Sequence, residues 1–172
     1  MTSRDRILDA AQELLLTGES PTLEAVARVA GVSKGGLLYH FDKQGMLEAI
    51  VERAVAQFDA RLTEAVSRGD VAATWLRLSV PSGRDRDLYR ALASAFRVMS
   101  HSGTDEVRQR VPGLAAAERR WAKLLEAELG DPVAAQVVTL VADGLLWTAL
   151  TNPTHGDSTD VEALLDHLGL NR

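Results

Sequence analysis

Apolar positions recur at helical spacing along most of the chain and predict an all-α fold. The first stripe, within residues 3–16, consists of Ile7, Leu8, Ala11, Leu14 and Leu15. A longer pattern over 42–67 predicts a helix of about 38 Å, at about 1.5 Å per residue. Further helices are predicted over 71–80, 85–100, 114–129, 132–151 and 160–168, with a short one ending at 111. No alternating β-branched run predicts a strand, so we expect about nine or ten helices.

Several helix starts have residues that are placed to cap them. These are Thr2 with Asp5 as a capping box, Asp42 and Asp131 as N-caps, and Thr159 with Glu162 as a second capping box. Pro112-Gly113 predicts a break or kink before residue 114.

Residues 22–41 contain two short helices separated by a tight turn. Thr22 is placed to cap the first helix, and Gly31 occupies the position where a helix C-terminus accepts a positive φ. Ser33 is placed to cap the second helix, over residues 34–40. This order of helix, glycine turn and helix is the helix-turn-helix pattern, whose second helix can enter the DNA major groove.

The second of these helices has an unusual composition. Lys34, Gly35 and Gly36 form its first turn, and adjacent glycines are poor helix formers that let a backbone approach another surface closely. Tyr39 and His40, near its end, have polar tips that can donate to phosphate oxygens. These features favour DNA binding, although a helical hairpin that only packs internally explains the spacing equally well.

Composition sets limits on the class of protein. With 172 residues, of which 46% are hydrophobic, the chain can bury a substantial core. It has no cysteine, which excludes disulfides and thiolate zinc sites, and we expect no cofactor. The formal net charge of −5 argues against a protein that binds nucleic acid. Residues 28–43, however, carry three basic side chains and one acidic one, so the helix-turn-helix is locally positive.

Two expectations concern the surroundings of the chain. No apolar run is expected to be long enough to span a membrane, and the N-terminus lacks a signal peptide's apolar core. A cytoplasmic location without a membrane partner is therefore expected.

The helix predicted over 132–151 is hydrophobic on nearly all sides. It therefore has to be buried on several sides, and packing against a helix of a partner chain would bury the remaining one.

The N-terminal sequence resembles the TetR family of bacterial transcriptional repressors. The matching residues are Ala27-Arg28-Val29-Ala30-Gly31-Val32-Ser33-Lys34-Gly35-Gly36-Leu37, then Tyr39-His40-Phe41 and Leu47. The segment Val141–Leu146 is similar to regulators of multidrug efflux in that family. The resemblance implies a DNA-binding domain over 1–47 and a ligand-binding and dimerisation domain over 48–172. It also implies a homodimer through helices eight and nine (114–129 and 132–151), and a ligand that moves helix four.

The resemblance also implies roles for individual residues on double-stranded operator DNA. The candidate DNA-binding residues are Thr22, Arg28, Ser33, Lys34, Gly35, Gly36, Tyr39, His40 and Lys43. Three positions depart from the family pattern. Leu38 replaces a common tyrosine, Gln44 stands where a lysine is usual, and Gly36 replaces a base-reading polar residue. Part of the operator is therefore expected to be read through its shape.

Beyond residue 70, aromatic residues and one acid suggest a site for a small hydrophobic ligand, with a cationic or aromatic ligand among the alternatives. The candidates are Trp75, Tyr89, Phe96, Met99, Trp121, Asp143 and Trp147. Core packing is the competing interpretation for each of them, and the dimer interface is a third one for Trp147. Asp143 needs a partner if it is buried in its apolar helix.

Catalytic and metal chemistry have little support. His101 with Asp105, and His155 with Asp157, lack a third ligand or an orienting group. We therefore predict no catalytic and no metal-binding residues. Two alternatives to a DNA-binding repressor stay open: a helical small-molecule-binding protein or enzyme without DNA binding, and an adaptor that pairs through helices eight and nine.

Overall fold

A computed structural model of the chain describes residues 1–17, 19, 21–81, 83–99, 109, 111–151 and 160–171. Within these ranges every regular element is a helix, which confirms the predicted all-α class. The helices are α1 (Ser3–Leu16), α2 (Leu23–Ala30), α3 (Lys34–His40), α4 (Lys43–Arg68), α5 (Val71–Leu78), α6 (Gly83–Met99), α7 (Pro112–Leu129), α8 (Pro132–Thr151) and α9 (Val161–His167). The short helix predicted to end at residue 111 falls mostly outside the described residues and has no number here. For this reason α7 and α8 correspond to the helices numbered eight and nine in the sequence analysis.

The chain divides into two compact units. The first contains Met1–Ala54 and Asp87–Leu114, and the second contains Val55–Arg86 and Ala115–Arg172. The predicted domain over residues 1–47 lies within the first unit, which also includes the beginning of α4 and most of α6. The predicted domain from residue 48 onward is shared between both units.

In the first unit, α1 packs against α2 and is tied to α4 by one arginine. The predicted capping box is present, because Thr2 Oγ1 accepts from the Asp5 N–H at 3.1 Å and Asp5 accepts from the Thr2 N–H at 2.9 Å. The bonds that the Asp5 carboxylate accepts, from the Thr2 N–H and from Thr2 Oγ1 at 2.7 Å, hold the pKa of that carboxyl below its ordinary value. Arg53 of α4 donates to Asp9 Oδ1 at 2.5 Å and to Gln12 Oε1 at 2.8 Å on α1.

In the second unit, α5 packs against α8 and α9, and its N-terminus is capped from a distant helix. Asp70 stands at the N-cap position but makes no side-chain cap bond. Glu128 of α7 takes that role, accepting from the Val71 N–H at 2.5 Å and the Ala72 N–H at 3.4 Å. A carboxylate is favoured there because helix N-termini carry unsatisfied donors and positive potential.

The last helix, α9, begins one residue later than predicted and is capped differently. Its N-cap is Asp160, whose Oδ1 accepts from the Ala163 N–H at 3.0 Å, so the predicted capping box starting at Thr159 is wrong. An aspartate directly before the helix serves as the acceptor. Arg77 of α5 holds α9 through two bonds to Glu162, at 2.7 and 2.8 Å. These bonds lower the pKa of the Glu162 carboxyl.

Helices α7 and α8 each begin with a proline. α7 includes Pro112 and Gly113 at its start, where a break was predicted, because proline's fixed φ and missing N–H suit the first helical position. The cap predicted for α8 is confirmed, since Asp131 Oδ1 accepts from the Val133 N–H at 2.8 Å.

Helix α8 has one apolar face inside the unit and one outside. Ala135, Val138, Ala142 and Ala149 are buried. Val133, Val137, Leu140 and Trp147 are exposed. By length and composition, Pro132–Ala149 is apolar enough to cross a membrane, with mean hydropathy 1.3, which corrects the expectation that no stretch qualifies. Its many alanines, valines and leucines raise the hydropathy despite Gln136, Thr139 and Asp143.

Candidate nucleic-acid interface

The turn between α2 and α3 has the predicted geometry. Thr22 Oγ1 accepts from the Ala25 N–H at 3.2 Å and starts α2. At the other end Gly31 adopts φ 64°, a left-handed conformation that glycine accepts without steric cost. The Val32 N–H then bonds the Ala27 carbonyl at 3.0 Å, which closes α2 and directs the chain into α3.

Helix α3 is fixed by one cap and two buried anchors. Ser33 Oγ accepts from the Gly36 N–H at 3.0 Å. The side chain of Leu37 is fully buried and that of Phe41, at the C-cap, nearly so. The Phe41 N–H bonds the Leu37 carbonyl at 2.9 Å. These contacts hold a seven-residue helix in place although its first turn contains two glycines.

The residues predicted to bind DNA are all exposed. They are Thr22, Arg28, Ser33, Lys34, Gly35, Gly36, Tyr39, His40 and Lys43. Tyr39 is 86% exposed, and its ring meets the His40 ring edge to face at a centroid distance of 5.2 Å. A large aromatic side chain left in solvent is unusual, so core packing does not account for Tyr39.

The two glycines of α3 are not equivalent. A Cβ on Gly35 would meet no atom within 4 Å, so the backbone there faces open space. A Cβ on Gly36 would lie 3.1 Å from Ser33 Oγ, the oxygen that caps the helix. The contact with Ser33 therefore limits the size of the side chain at position 36, whereas no contact within 4 Å limits it at position 35.

Two charged residues to which the sequence analysis gave no role, Glu24 and Arg4, lie at this surface. Glu24, in the first turn of α2, forms an ion pair and hydrogen bond with Lys34. This bond lowers the pKa of the Glu24 carboxyl. The guanidinium of Arg4 lies 5.0 Å from the centre of the Phe41 ring, which places a cation beside the end of α3. Neither contact has a local sequence signal, because the partners are ten and 37 residues apart.

The other two departures from the family pattern, besides Gly36, are also exposed. Leu38 is half-exposed on α3. The Gln44 side chain donates a hydrogen bond to Glu48 Oε1, at 2.8 Å, within the same helix α4.

Among the predicted ligand-binding residues, Trp75 and Trp121 lie together in the core of the second unit. Their ring centroids are 6.2 Å apart, and Phe58 contacts both, at 5.7 and 4.7 Å. Trp121 Nε1 donates to Asp59 Oδ1 at 2.8 Å, which satisfies its one donor. Both tryptophans are buried, so this aromatic cluster (Phe58, Trp75 and Trp121) is also part of the hydrophobic core.

The other predicted ligand-binding residues lie elsewhere. Tyr89 is half-buried and belongs to the first unit. Asp143 and Trp147 are exposed on α8, Trp147 by 70%. The side chains of Phe96 and Met99, and the residues His101, Asp105, His155 and Asp157, lie outside the described part of the chain. In the part that is described, no group of three or more acidic or histidine side chains could hold a metal ion.

The fold and this surface define a helical protein with an exposed helix-turn-helix. The family described as "Tetracyclin repressor-like, C-terminal domain" matches residues 69–169. No match was found among curated protein sequences. The chain belongs to the tetracycline-repressor-like (TetR) family of transcriptional regulators.

Solved structures share the fold over nearly the whole chain. A SmeT–triclosan complex aligns with TM-score 0.70 and 24% identity, covering 91% of this chain and 84% of that one. NalD, the secondary repressor of the MexAB-OprM multidrug efflux pump in Pseudomonas aeruginosa, gives 0.66 and 25%, covering 95% and 93%. The multidrug binding protein EbrR, complexed with ethidium, gives 0.62 and 23%, covering 98% of both.

The non-equivalence of the α3 glycines predicts a difference in stability. Gly35→Ala should raise the free energy of unfolding by about 0.5–1 kcal/mol, because alanine loses less backbone entropy and meets open space. Gly36→Ala should gain less or lose stability, since its Cβ crowds the Ser33 oxygen. Urea unfolding followed by circular dichroism measures both.

Gly113→Ala is the matched control for this prediction. Gly113 is also the second residue of its helix, and a Cβ added there would meet no atom within 4 Å. It should therefore gain as much as Gly35→Ala. Equal stabilisation at positions 35 and 36 would contradict the prediction.

Proposed function

We propose that the protein is a ligand-responsive repressor that binds a near-palindromic operator as a homodimer and is released by a small hydrophobic effector. It would act in the cytoplasm, where its DNA is. The observation that carries the proposal is the bare, exposed backbone of α3 at Gly35, with Lys34 directly before it and Tyr39 four residues after it, about one helical turn away. Fold stability does not favour glycine at an open helical position, whereas close approach to a groove requires the absence of a side chain.

The chemistry of this surface fits DNA in two ways. Lys34, His40 and Lys43 supply cationic or polar groups for phosphates, and Tyr39 supplies an exposed hydroxyl. Arg28, exposed in the last turn of α2, has the planar fork that pairs with guanine. Base reading by few side chains, together with phosphate contacts, agrees with an operator read partly through its shape.

Lys34 and Tyr39 test the DNA-binding surface directly. Against a duplex selected from a random library, Lys34→Gln and Tyr39→Phe should each weaken binding about tenfold or more, because each removes a bond to a charged group worth about 1.5–3 kcal/mol. Lys34→Gln should also make the slope of log affinity against log salt shallower. Fluorescence anisotropy over a salt series measures both quantities.

Lys123→Gln provides the matched control for charge, since Lys123 is an exposed lysine of α7 in the second unit. It should bind like the wild type. Gly35→Ala should weaken binding while Gly113→Ala should not, although both remove a helical glycine. Unchanged affinity in Lys34→Gln and Tyr39→Phe would show that α3 does not contact DNA.

We propose that the homodimer forms through the outer face of α8, together with α7. This outer stripe consists of Val133, Val137, Leu140, Gly144 and Trp147. Its members are spaced by alternating intervals of four and three residues, the repeat that keeps two packed helices in contact. No atom lies within 4 Å of a Cβ built on Gly144, which leaves room for a close helix approach.

A second copy of the chain is the occupant that suits this stripe. An apolar stripe of this length is costly in water, and Trp147 at 70% exposure is its largest contributor. A two-fold axis would place the same stripe of two copies face to face, so each stripe supplies its own complementary surface. The family membership of residues 69–169, which include all of α8, agrees with this proposal.

Val137→Glu tests the interface. In a two-fold dimer it brings two buried like charges together, a cost of several kcal/mol, so the dimer constant should weaken about 100-fold or more. Sedimentation equilibrium measures that constant. Val66→Glu is the matched control, because Val66 on α4 is 50% exposed and Val137 is 47% exposed. A dimer unaffected by Val137→Glu would rule out this face.

We propose that the effector binds at the aromatic cluster of the second unit. Phe58 is half-buried and borders both tryptophans, so its movement would open their faces to a flat apolar molecule. The complexes of SmeT with triclosan and of EbrR with ethidium are consistent with such a ligand. Asp143 and Trp147 lie on the outer face of α8 and are left out of this proposed site.

Three tryptophan variants locate the effector. Triclosan or ethidium should raise the melting temperature and quench tryptophan fluorescence, because the ligand stacks on the indoles. The quenching should fall in Trp75→Phe and Trp121→Phe and persist in Trp147→Phe. Loss of quenching in Trp147→Phe alone would place the ligand on the outer stripe. The same ligand should dissociate a labelled duplex from the wild type.

A further inference from the structure

The ion pair between Glu24 and Lys34 joins α2 to α3 at the proposed DNA-binding surface. Glu24 is the second residue of α2 and Lys34 is the first residue of α3. Both side chains are exposed, by 65% and 58%. An exposed pair of this kind contributes little to stability, so the fold does not depend on it. The position of the pair suggests a role in binding.

Pairing changes what Lys34 can contribute to DNA affinity. A lysine that neutralises a phosphate displaces a condensed cation from DNA, which makes affinity depend on salt. The pair with Glu24 has no net charge, and it brings a carboxylate close to any phosphate that Lys34 contacts. The ammonium group has three donors, so it can reach a phosphate while it stays bonded to Glu24, but its electrostatic gain is offset.

We propose that Glu24 is an affinity-limiting residue of the DNA-binding surface, which acts by pairing with Lys34 and suppressing sequence-independent attraction to the phosphate backbone. This inference rests on the proposed DNA-binding function. Because the phosphate term supplies essentially all non-specific binding, Glu24 raises the share of affinity that depends on the operator sequence. The residue thus improves discrimination by weakening a contact common to all DNA.

Glu24→Gln tests the inference on a labelled duplex of random sequence. Restoring the full phosphate contact of Lys34 should steepen the salt slope by up to about 0.9 for each bound α3. With affinities that converge at about 1 M salt, this slope corresponds to a rise in affinity of up to about eightfold per bound α3 at about 0.1 M salt and up to about threefold at about 0.3 M. Fluorescence anisotropy at several salt concentrations gives the slope, and circular dichroism verifies that the variant is folded.

Two further variants identify the cause. Glu52→Gln makes the same charge change in α4, nine residues beyond Lys43 and about 13 Å along the helix, farther than the screening length of about 8–10 Å. It should bind like the wild type. In a Lys34→Gln background, Glu24→Gln should raise the affinity clearly less than in the wild type, because only the general repulsion of one carboxylate is removed and no lysine is released from a pair.

The outcomes separate this inference from the function on which it rests. It is overturned if Glu24→Gln binds no more tightly than wild type, or if its gain in affinity is as large in the Lys34→Gln background as in the wild type. If wild type binds the duplex and Lys34→Gln weakens it, such a result leaves the proposed function intact. Absence of salt-dependent duplex binding in the wild type overturns both.

Discussion

The anchoring of α3 is the constraint on which the proposed DNA-binding surface depends. A helix that presents bare backbone to a groove has lost the side chains that would stabilise it, and two glycines in one turn make it a poor helix in isolation. The Ser33 cap at one end and the buried Leu37 and Phe41 at the other offset this loss. The buried contacts on the inward side of α3 therefore allow its exposed side to lack side chains at Gly35 and Gly36.

The two faces of α8 also have different roles. Its inner face closes the core of the second unit, while its outer stripe repeats the apolar pattern on an exposed surface. An amphipathic helix would have been sufficient for a monomer. The second apolar face is consistent with assembly, and the aromatic cluster on the inner side is consistent with a ligand site that is separate from the interface.

Charge is distributed to support this arrangement. The chain is acidic overall, which limits unspecific attraction to nucleic acid, while Arg28, Lys34 and Lys43 make residues 28–43 locally basic. Glu24, which precedes that range, pairs with Lys34, and the Arg4 guanidinium lies beside the Phe41 ring at the end of α3. The cations that this surface would offer to DNA under the proposed function are therefore set by contacts between helices and not by the count of basic residues.

Local sequence determined the helices and most of their ends: Thr2, Thr22, Ser33, Asp42 and Asp131 cap as predicted, since a cap needs only a side chain within three residues. The exposed glycine turn was also predictable from local signals. Tertiary structure alone decided that Glu128 caps α5, that Glu24 pairs with Lys34, and that Trp75 and Trp121 meet while Trp147 faces outward. These contacts join residues distant in sequence, and their geometry follows from helix packing, which no local pattern encodes.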